Sequence, residues 1–250
     1  MKISLCIPVY NEEKILPSTL QTVSSYMKKH FADDYEVLYI NDGSKDRSAA
    51  LIQAFAQKDS ATRLIDYTPN RGKGFAVRQG ILNSRGDVVI FTDCDLAYGL
   101  DVIEKLLDEF IKNPAYDVVV GSRVLHPEGY EGYTRMRRIV SLAYIRLLSL
   151  AGGIKLSDFQ CGCKAFRGEI GKKIFSYCII DRFAFDLEAL LYAKEFGVKI
   201  GEMPVKIINH RESSVHIIKD SMRMLRDIRR MKKHKKKVMK EKENKKTEKL

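Results

Sequence analysis

The chain has no tryptophan, and nowhere in its 250 residues does an uncharged apolar run reach the ~18 residues that would span a bilayer. The best candidate, Ile139 to Ile154, is interrupted by Arg146, so no transmembrane helix is expected. Met1-Lys2-Ile3-Ser4-Leu5 leads straight into a strand pattern, without the architecture of a signal peptide. The five cysteines are an odd number, which fits a reducing compartment better than a disulfide framework. Cys161-Gly162-Cys163 is too closely spaced for a zinc knuckle, and no matching Cys/His pair follows it. No G-x-G-x-x-G follows the first strand, which argues against a dinucleotide-dependent dehydrogenase. There is no internal repeat.

Net charge is also scarce over most of the length. Residues 221–250 hold 14 Lys/Arg against 4 Asp/Glu, whereas residues 1–220 hold 30 against 28. The net charge of +12 therefore belongs almost wholly to the C-terminal end. A near-neutral body without a basic surface interleaved with aromatics argues against a nucleic-acid partner for that tail.

What is present is a regular alternation of strand and helix patterns. Strands are expected at Lys2 to Val9, Tyr35 to Ile40, Arg63 to Tyr67, Val88 to Phe91 and Asp117 to Val120. Helices are expected between them, at Glu12 to Lys29, Asp46 to Gln57, Lys73 to Asn83 and Leu100 to Lys112. This pattern predicts an α/β fold with a mostly parallel sheet flanked by helices. From Ser122 the alternation breaks. A polar loop (His126 to Tyr133), a helix near Arg138–Leu150, an irregular segment at Ser157–Phe166, a helix at Phe185–Phe196 and a strand at Lys199–Glu202 follow. Residues 216–231 read as an amphipathic helix with Ile217, Met224, Leu225, Ile228 and Met231 on one side, and residues 232–250 as a Lys-rich tail, disordered or a frayed helix.

Four loops at the carboxyl ends of the strands carry chemistry, and that edge is where open α/β sheets bind ligands. The most informative is Asp93-Cys94-Asp95, directly after Val88-Val89-Ile90-Phe91. Two carboxylates there suit a hard divalent cation completed by substrate phosphates. Asp42 in Asn41-Asp42-Gly43-Ser44-Lys45-Asp46 can accept hydrogen bonds from a planar base, and Asp46 can cap the next helix. Asn70-Arg71-Gly72-Lys73-Gly74 is a basic turn at a helix N-terminus, suited to a phosphate.

These loops, with Pro8-Val9-Tyr10-Asn11-Glu12 and Gly121-Ser122-Arg123, together resemble a family 2 glycosyltransferase of the GT-A (Rossmann-like) fold. Asp158-Phe159-Gln160-Cys161-Gly162-Cys163-Lys164-Ala165-Phe166, Phe183 to Leu191 and Ile200 to Val205 narrow the resemblance to dolichyl-phosphate glucosyltransferases and related polyprenyl-phosphate sugar synthases. The chain departs from that pattern at Cys163, which replaces a Phe, and at Ala97, where some mannosyl members place a metal-binding Gln. Arg211-Glu212-Ser213-Ser214 matches the family's G-x-S-K segment only in part.

The resemblance implies an inverting, metal-dependent transfer of a hexose, glucose in preference to mannose, from a nucleotide-diphosphate sugar (UDP-glucose or GDP-mannose) to a polyprenyl phosphate of the dolichyl type. It assigns residues 1–121 to the donor and 122–215 to the acceptor. Pro8, Tyr10, Glu12, Asp42, Lys73 and Asp93 would bind the donor, and Asp93 and Asp95 would hold Mg²⁺ or Mn²⁺. Asp95 and Asp158 are the candidate catalytic residues, and Arg123, Arg138 and Ser141 would receive the acceptor phosphate. An ionised phosphate nucleophile needs no strong base, so His210 and His216 read as ordinary polar residues. A lipid acceptor implies a cytoplasmic protein, peripheral at the cytoplasmic face of a membrane, held by its amphipathic helix and tail on an anionic surface or by an integral membrane partner. The rival within the family is an enzyme with a soluble or glycan acceptor. The missing tryptophan, and with it any Q-x-x-R-W motif, argues against a processive synthase.

Overall fold

The computed structural model describes residues 1–209 and 217–247. His210, Arg211 to Ser214 and His216 lie outside these residues. The chain runs β1 (Ile3–Val9), α1 (Leu16–Phe31), β2 (Tyr35–Asp42), α2 (Ser48–Ala56), β3 (Thr62–Tyr67), α3 (Lys73–Asn83), β4 (Val88–Phe91), α4 (Asp101–Lys112) and β5 (Val118–Ser122). It continues with α5 (Arg135–Gly152), β6 (Lys164–Arg167), α6 (Gly168–Phe175), α7 (Phe185–Glu195), β7 (Ile200–Pro204) and α8 (Ile217–Thr247).

The seven strands form one sheet in the order β3-β2-β1-β4-β6-β5-β7. All pairings are parallel except those of β6, which runs antiparallel to β4 and to β5. Every residue of β2, β4 and β5 is buried, as expected of strands covered on both faces. Helix α4 shows how one cover is made: Val102, Ile103, Leu106, Leu107 and Phe110 form a single buried stripe. One apolar cluster includes residues of α1, α4 and the sheet, and a second includes residues of α3, α6, α7, α8 and the sheet's other face. Strand order reverses between β1 and β4, and such a reversal opens a crevice at the strands' carboxyl ends.

Two elements differ from the sequence expectation, and a third decides between its alternatives. Helix α1 starts at Leu16 rather than Glu12, because Pro17 fits only in a first turn, where its missing N–H costs nothing. The segment read as irregular ends in β6, where Lys164 pairs with Phe91 on one side and Val120 on the other, and α6 follows. Of the two alternatives for the Lys-rich end, the helical one is found: α8 continues through Thr247. Of the expected apolar face, the described residues Ile228 and Met231 turn to the domain and are buried in the second cluster. Met239 packs against it, the Tyr192 hydroxyl meets His234 Nδ1 at 2.9 Å, and Lys235 pairs with Glu195 at 2.7 Å. Arg226, Arg229, Arg230, Lys232, Lys233, Lys236 and Lys240 remain exposed. No described helix is long and apolar enough to cross a membrane.

Candidate active site

The loops at the carboxyl edge are joined to one another in series. Asn11 donates its amide to Ser44 Oγ (2.9 Å) and accepts from the Lys45 amide (2.8 Å), while the Glu12 amide reaches Ser48 Oγ (2.9 Å). Asp46 accepts the amide of Ser48, the first residue of α2, at 2.9 Å and that of Glu13 at 3.0 Å. Burial works to raise its pKa, but these hydrogen bonds outweigh it and hold the carboxyl below its usual range. Asp42 is buried and ties the next loop: it accepts from the amides of Arg71 and Gly72 and from Asn70 Nδ2, each at 2.8 Å. Its carboxylate is thus largely engaged with the chain itself. Gly43 and the loop sit so close that a Cβ on Gly43 would lie 2.5 Å from the Asn70 nitrogen. Pro8 is half-buried in β1, and Tyr10, 44% exposed, stands at the rim.

Lys73, the first residue of α3, forms an ion pair with Asp93 Oδ1, joining the third loop to the fourth. Burial disfavours the ammonium, but Asp93, Asp186 and Asp95 outweigh it and hold the Lys73 pKa above its ordinary value. The other Asp93 oxygen faces Gly162, where a Cβ would sit only 2.1 Å from it. Only glycine lets the main chain pass over this carboxylate. Asp95 accepts the Ala97 amide at 3.1 Å, and its carbonyl receives Asn209 Nδ2 at 3.2 Å. Among the described residues no group of three or more His, Cys, Asp or Glu forms a cage for an ion. Two oxygen-donating carboxylates within the field of one lysine fit a hard cation that takes its remaining ligands from water and a diphosphate.

Past β5 the chemistry changes. Arg123 is buried and holds Asp158, itself fully buried, through two parallel bonds: Nε to Oδ2 at 2.7 Å and Nη2 to Oδ1 at 3.0 Å. The Gln160 amide adds a bond to Asp158 Oδ1 at 3.0 Å. Burial works to raise the Asp158 pKa, and Arg123 more than reverses it. Asp158 is therefore an anchor for Arg123 rather than a free acid or base. Arg123 Nη1 also donates to the Tyr133 hydroxyl at 3.3 Å. Arg138, exposed on α5, lies with its guanidinium carbon 5.6 Å from the Tyr130 ring centre, the same distance as that of Arg123. Ser141 acts on the Tyr130 hydroxyl. The three expected acceptor residues thus converge on one tyrosine.

The sequence reading did not single out that tyrosine, nor Tyr98, Lys164, Asp186 or Glu188. Lys164 is buried with its ammonium on Asp186 (2.5 Å) and the Cys161 carbonyl (2.7 Å). Burial raises the Asp186 pKa, and Lys164 and Lys73 offset this only in part. Tyr98 accepts the Gly162 amide at 3.2 Å, and burial above all pushes its phenol pKa well up. A lysine inside a strand pattern was the available signal for Lys164. The tyrosines sit in loops with no periodicity to mark them.

This geometry accompanies clear likenesses to known proteins. The glycosyl transferase family 2 model matches residues 4–175. The dolichyl-phosphate beta-glucosyltransferase ALG5A of Trichomonas vaginalis is 34% identical over 211 residues, covering 82% of this chain, which spans 65% of that relative's length. The human dolichyl-phosphate beta-glucosyltransferase is 34% identical over 215 residues, covering 82% of this chain and 66% of its own. Among solved structures, a glucosyl-3-phosphoglycerate synthase from Mycobacterium tuberculosis, crystallised with Mn²⁺, UDP and phosphoglyceric acid, superposes with a TM-score of 0.64 at 18% identity. It covers 92% of this chain and 76% of its own, and shows that the fold is the GT-A fold expected from the motifs. The resemblance read from the ordered motifs is borne out, and the chain belongs to glycosyl transferase family 2.

Proposed function

We propose that the chain is a glycosyltransferase that moves a hexose, glucose rather than mannose, from a nucleotide-diphosphate sugar to a polyprenyl phosphate, with inversion. The observation that carries this reading is the short segment from Asp158 to Gly162: Asp158 holds Arg123 through a fork, and four residues on the Gly162 main chain packs on Asp93. The carboxylate of the donor reading and the arginine of the acceptor reading are thus tied to the two ends of one segment. Residues 1–121 would supply the donor half and residues 122–215 the acceptor half. The relatives' names support glucose and a dolichyl-type lipid.

Pro8, Tyr10, Glu12 and Asp42 frame the base and ribose. Asp93 and Asp95 would hold Mg²⁺ or Mn²⁺, which supplies Lewis-acid stabilisation to a leaving diphosphate when bound. Lys73 adds positive charge beside the same diphosphate. Arg123, Arg138 and Ser141 align the acceptor phosphate, whose ionised oxygen attacks the anomeric carbon. The new carbon–oxygen bond forms as the bond to the diphosphate breaks, and the electron pair leaves with the nucleoside diphosphate. No base need remove a proton from this nucleophile, which suits the engagement of Asp158 by Arg123.

A lipid acceptor is favoured over a soluble one by exposed apolar side chains near Arg138. Met136, Ile139 and Leu142 recur at helical spacing on α5, and Val124 and Leu125 are exposed just after Arg123. With the exposed cations of α8, they suit a peripheral station on an anionic, cytoplasmic membrane face. The test is to incubate purified protein and polyprenyl phosphate with UDP-glucose and GDP-mannose separately. Lipid-linked glucose is the expected product. Transfer to 3-phosphoglycerate with none to lipid would overturn the reading.

A further inference from the structure

Two like-charged guanidinium groups that approach the same ring need something to hold them there. Arg123 has its own anchor in the buried fork with Asp158, whereas Arg138 is exposed, and no carboxylate lies within ion-pair distance of it among the described residues. What both share is the Tyr130 ring, 5.6 Å from each guanidinium carbon and within reach of a cation–π attraction. The ring is itself fixed. Tyr133 packs edge-on against it with centroids 5.5 Å apart, and the Tyr133 hydroxyl accepts from Arg123. The loop carrying it folds tightly back on Arg123, so that a Cβ on Gly129 would lie 1.9 Å from the Arg123 carbonyl oxygen. Glu128 ties the same loop to Lys206 at 2.8 Å.

We propose that Tyr130 is the positioning residue of the acceptor-phosphate receptor. Its aromatic face holds Arg138 against Arg123, so that two cations meet one phosphate. The inference rests on the acceptor reading above, and adds to it a residue that need not touch substrate. It assigns the effect to the ring rather than the hydroxyl, because the ring is what both guanidinium groups approach.

The test compares wild type, Tyr130→Phe and Tyr130→Leu by titrating a short, water-soluble prenyl phosphate in a calorimeter, with UDP as a second ligand. Tyr130→Leu should weaken prenyl-phosphate binding roughly tenfold, with UDP binding unchanged. Tyr130→Phe, which keeps the ring, should stay within about threefold of wild type. In turnover, Tyr130→Leu should raise KM for lipid phosphate more than it lowers kcat. Equal binding by wild type and Tyr130→Leu overturns the proposal, as does a Tyr130→Phe defect as large as that of Tyr130→Leu. If Tyr130→Leu does not fold, Tyr130→Trp decides: binding as good as wild type supports the ring's role, and a tenfold loss in a folded protein rejects it. Wild type that binds UDP but no prenyl phosphate refutes the underlying acceptor reading, an outcome distinct from all of these.

Discussion

Along the first three loops, carboxylates and hydroxyls capture main-chain amides: Asp42 holds Arg71 and Gly72, Asp46 holds Glu13 and Ser48, and Ser44 holds Asn11. Beyond β5, the corresponding carboxylates capture buried cations instead, Asp158 taking Arg123 and Asp186 taking Lys164. The first arrangement shapes loops and can lose one bond at modest cost. The second leaves a buried charge when either partner is removed, which is far more expensive. The edge formed by the first three loops is therefore built for shape, and the edge beyond β5 for fixed charge.

The largest expected effect is where the two chemistries meet. Asp93→Asn and Asp95→Asn should each lower transfer on the order of a thousandfold, with an unchanged melting temperature. Near-normal turnover by both at ordinary Mg²⁺ would remove the donor assignment. The second experiment contrasts the two edges directly. Asp158→Ala should cost about 3–5 kcal/mol of stability in denaturant titrations, because Arg123 is left buried and unpaired. Asp42→Ala should cost about 1–3 kcal/mol. The comparison fails if the order is reversed.

Glu188 sharpens it further, since here a carboxylate captures amides but deep in the acceptor scaffold. It accepts from Ile179 and Ile180 at 2.9 and 2.8 Å, and burial pushes its pKa up to about 7 against those bonds. A folded pKa above the unfolded one means that its stabilisation is full below about pH 4.5 and is lost as pH rises through about 7. Glu188→Gln should therefore match wild type near pH 5 and exceed it by roughly 2 kcal/mol near pH 8 in thermal melts. A constant difference between the two pH values would show that Glu188 does not titrate in this window. The smallest effect is expected at Arg138→Ala, with KM for lipid phosphate up about tenfold and nucleotide-sugar affinity unaltered. Loss of donor affinity with lipid affinity intact would reassign Arg138.

The elements that bury on both faces were legible in the sequence because uninterrupted apolar runs mark them, as in Val88 to Phe91 and Val118 to Val120. β6 was not, since a lysine opens it and an arginine ends it, and the lysine is tolerated there only through Asp186, 22 residues away. α6 carries glycines at both Gly168 and Gly171, which blur a helical pattern. The Lys-rich end reads as disordered or as frayed helix on charge alone, although lysine is a good helix former and Met231 and Met239 dock the helix on the domain. Asp93, Asp95, Arg123 and Arg138 stand out as candidates from ordered motifs. That Asp158 is consumed by Arg123, and that Tyr130 joins the arginines, depends on loop paths that no periodicity encodes.

β6 also sets the way this crevice can open. It is hydrogen-bonded to β4 on one side and to β5 on the other, so it lies between the strand that leads to Asp93 and the one that leads to Arg123. A hinge between the β4 and β5 sides would have to tear a ladder in mid-sheet, so any opening falls to the rim loops. The amides of Ala165 and Phe166 should exchange with deuterium as slowly as any in the protein, whether or not nucleotide is bound, while those around Arg71 and Gly129 respond to it.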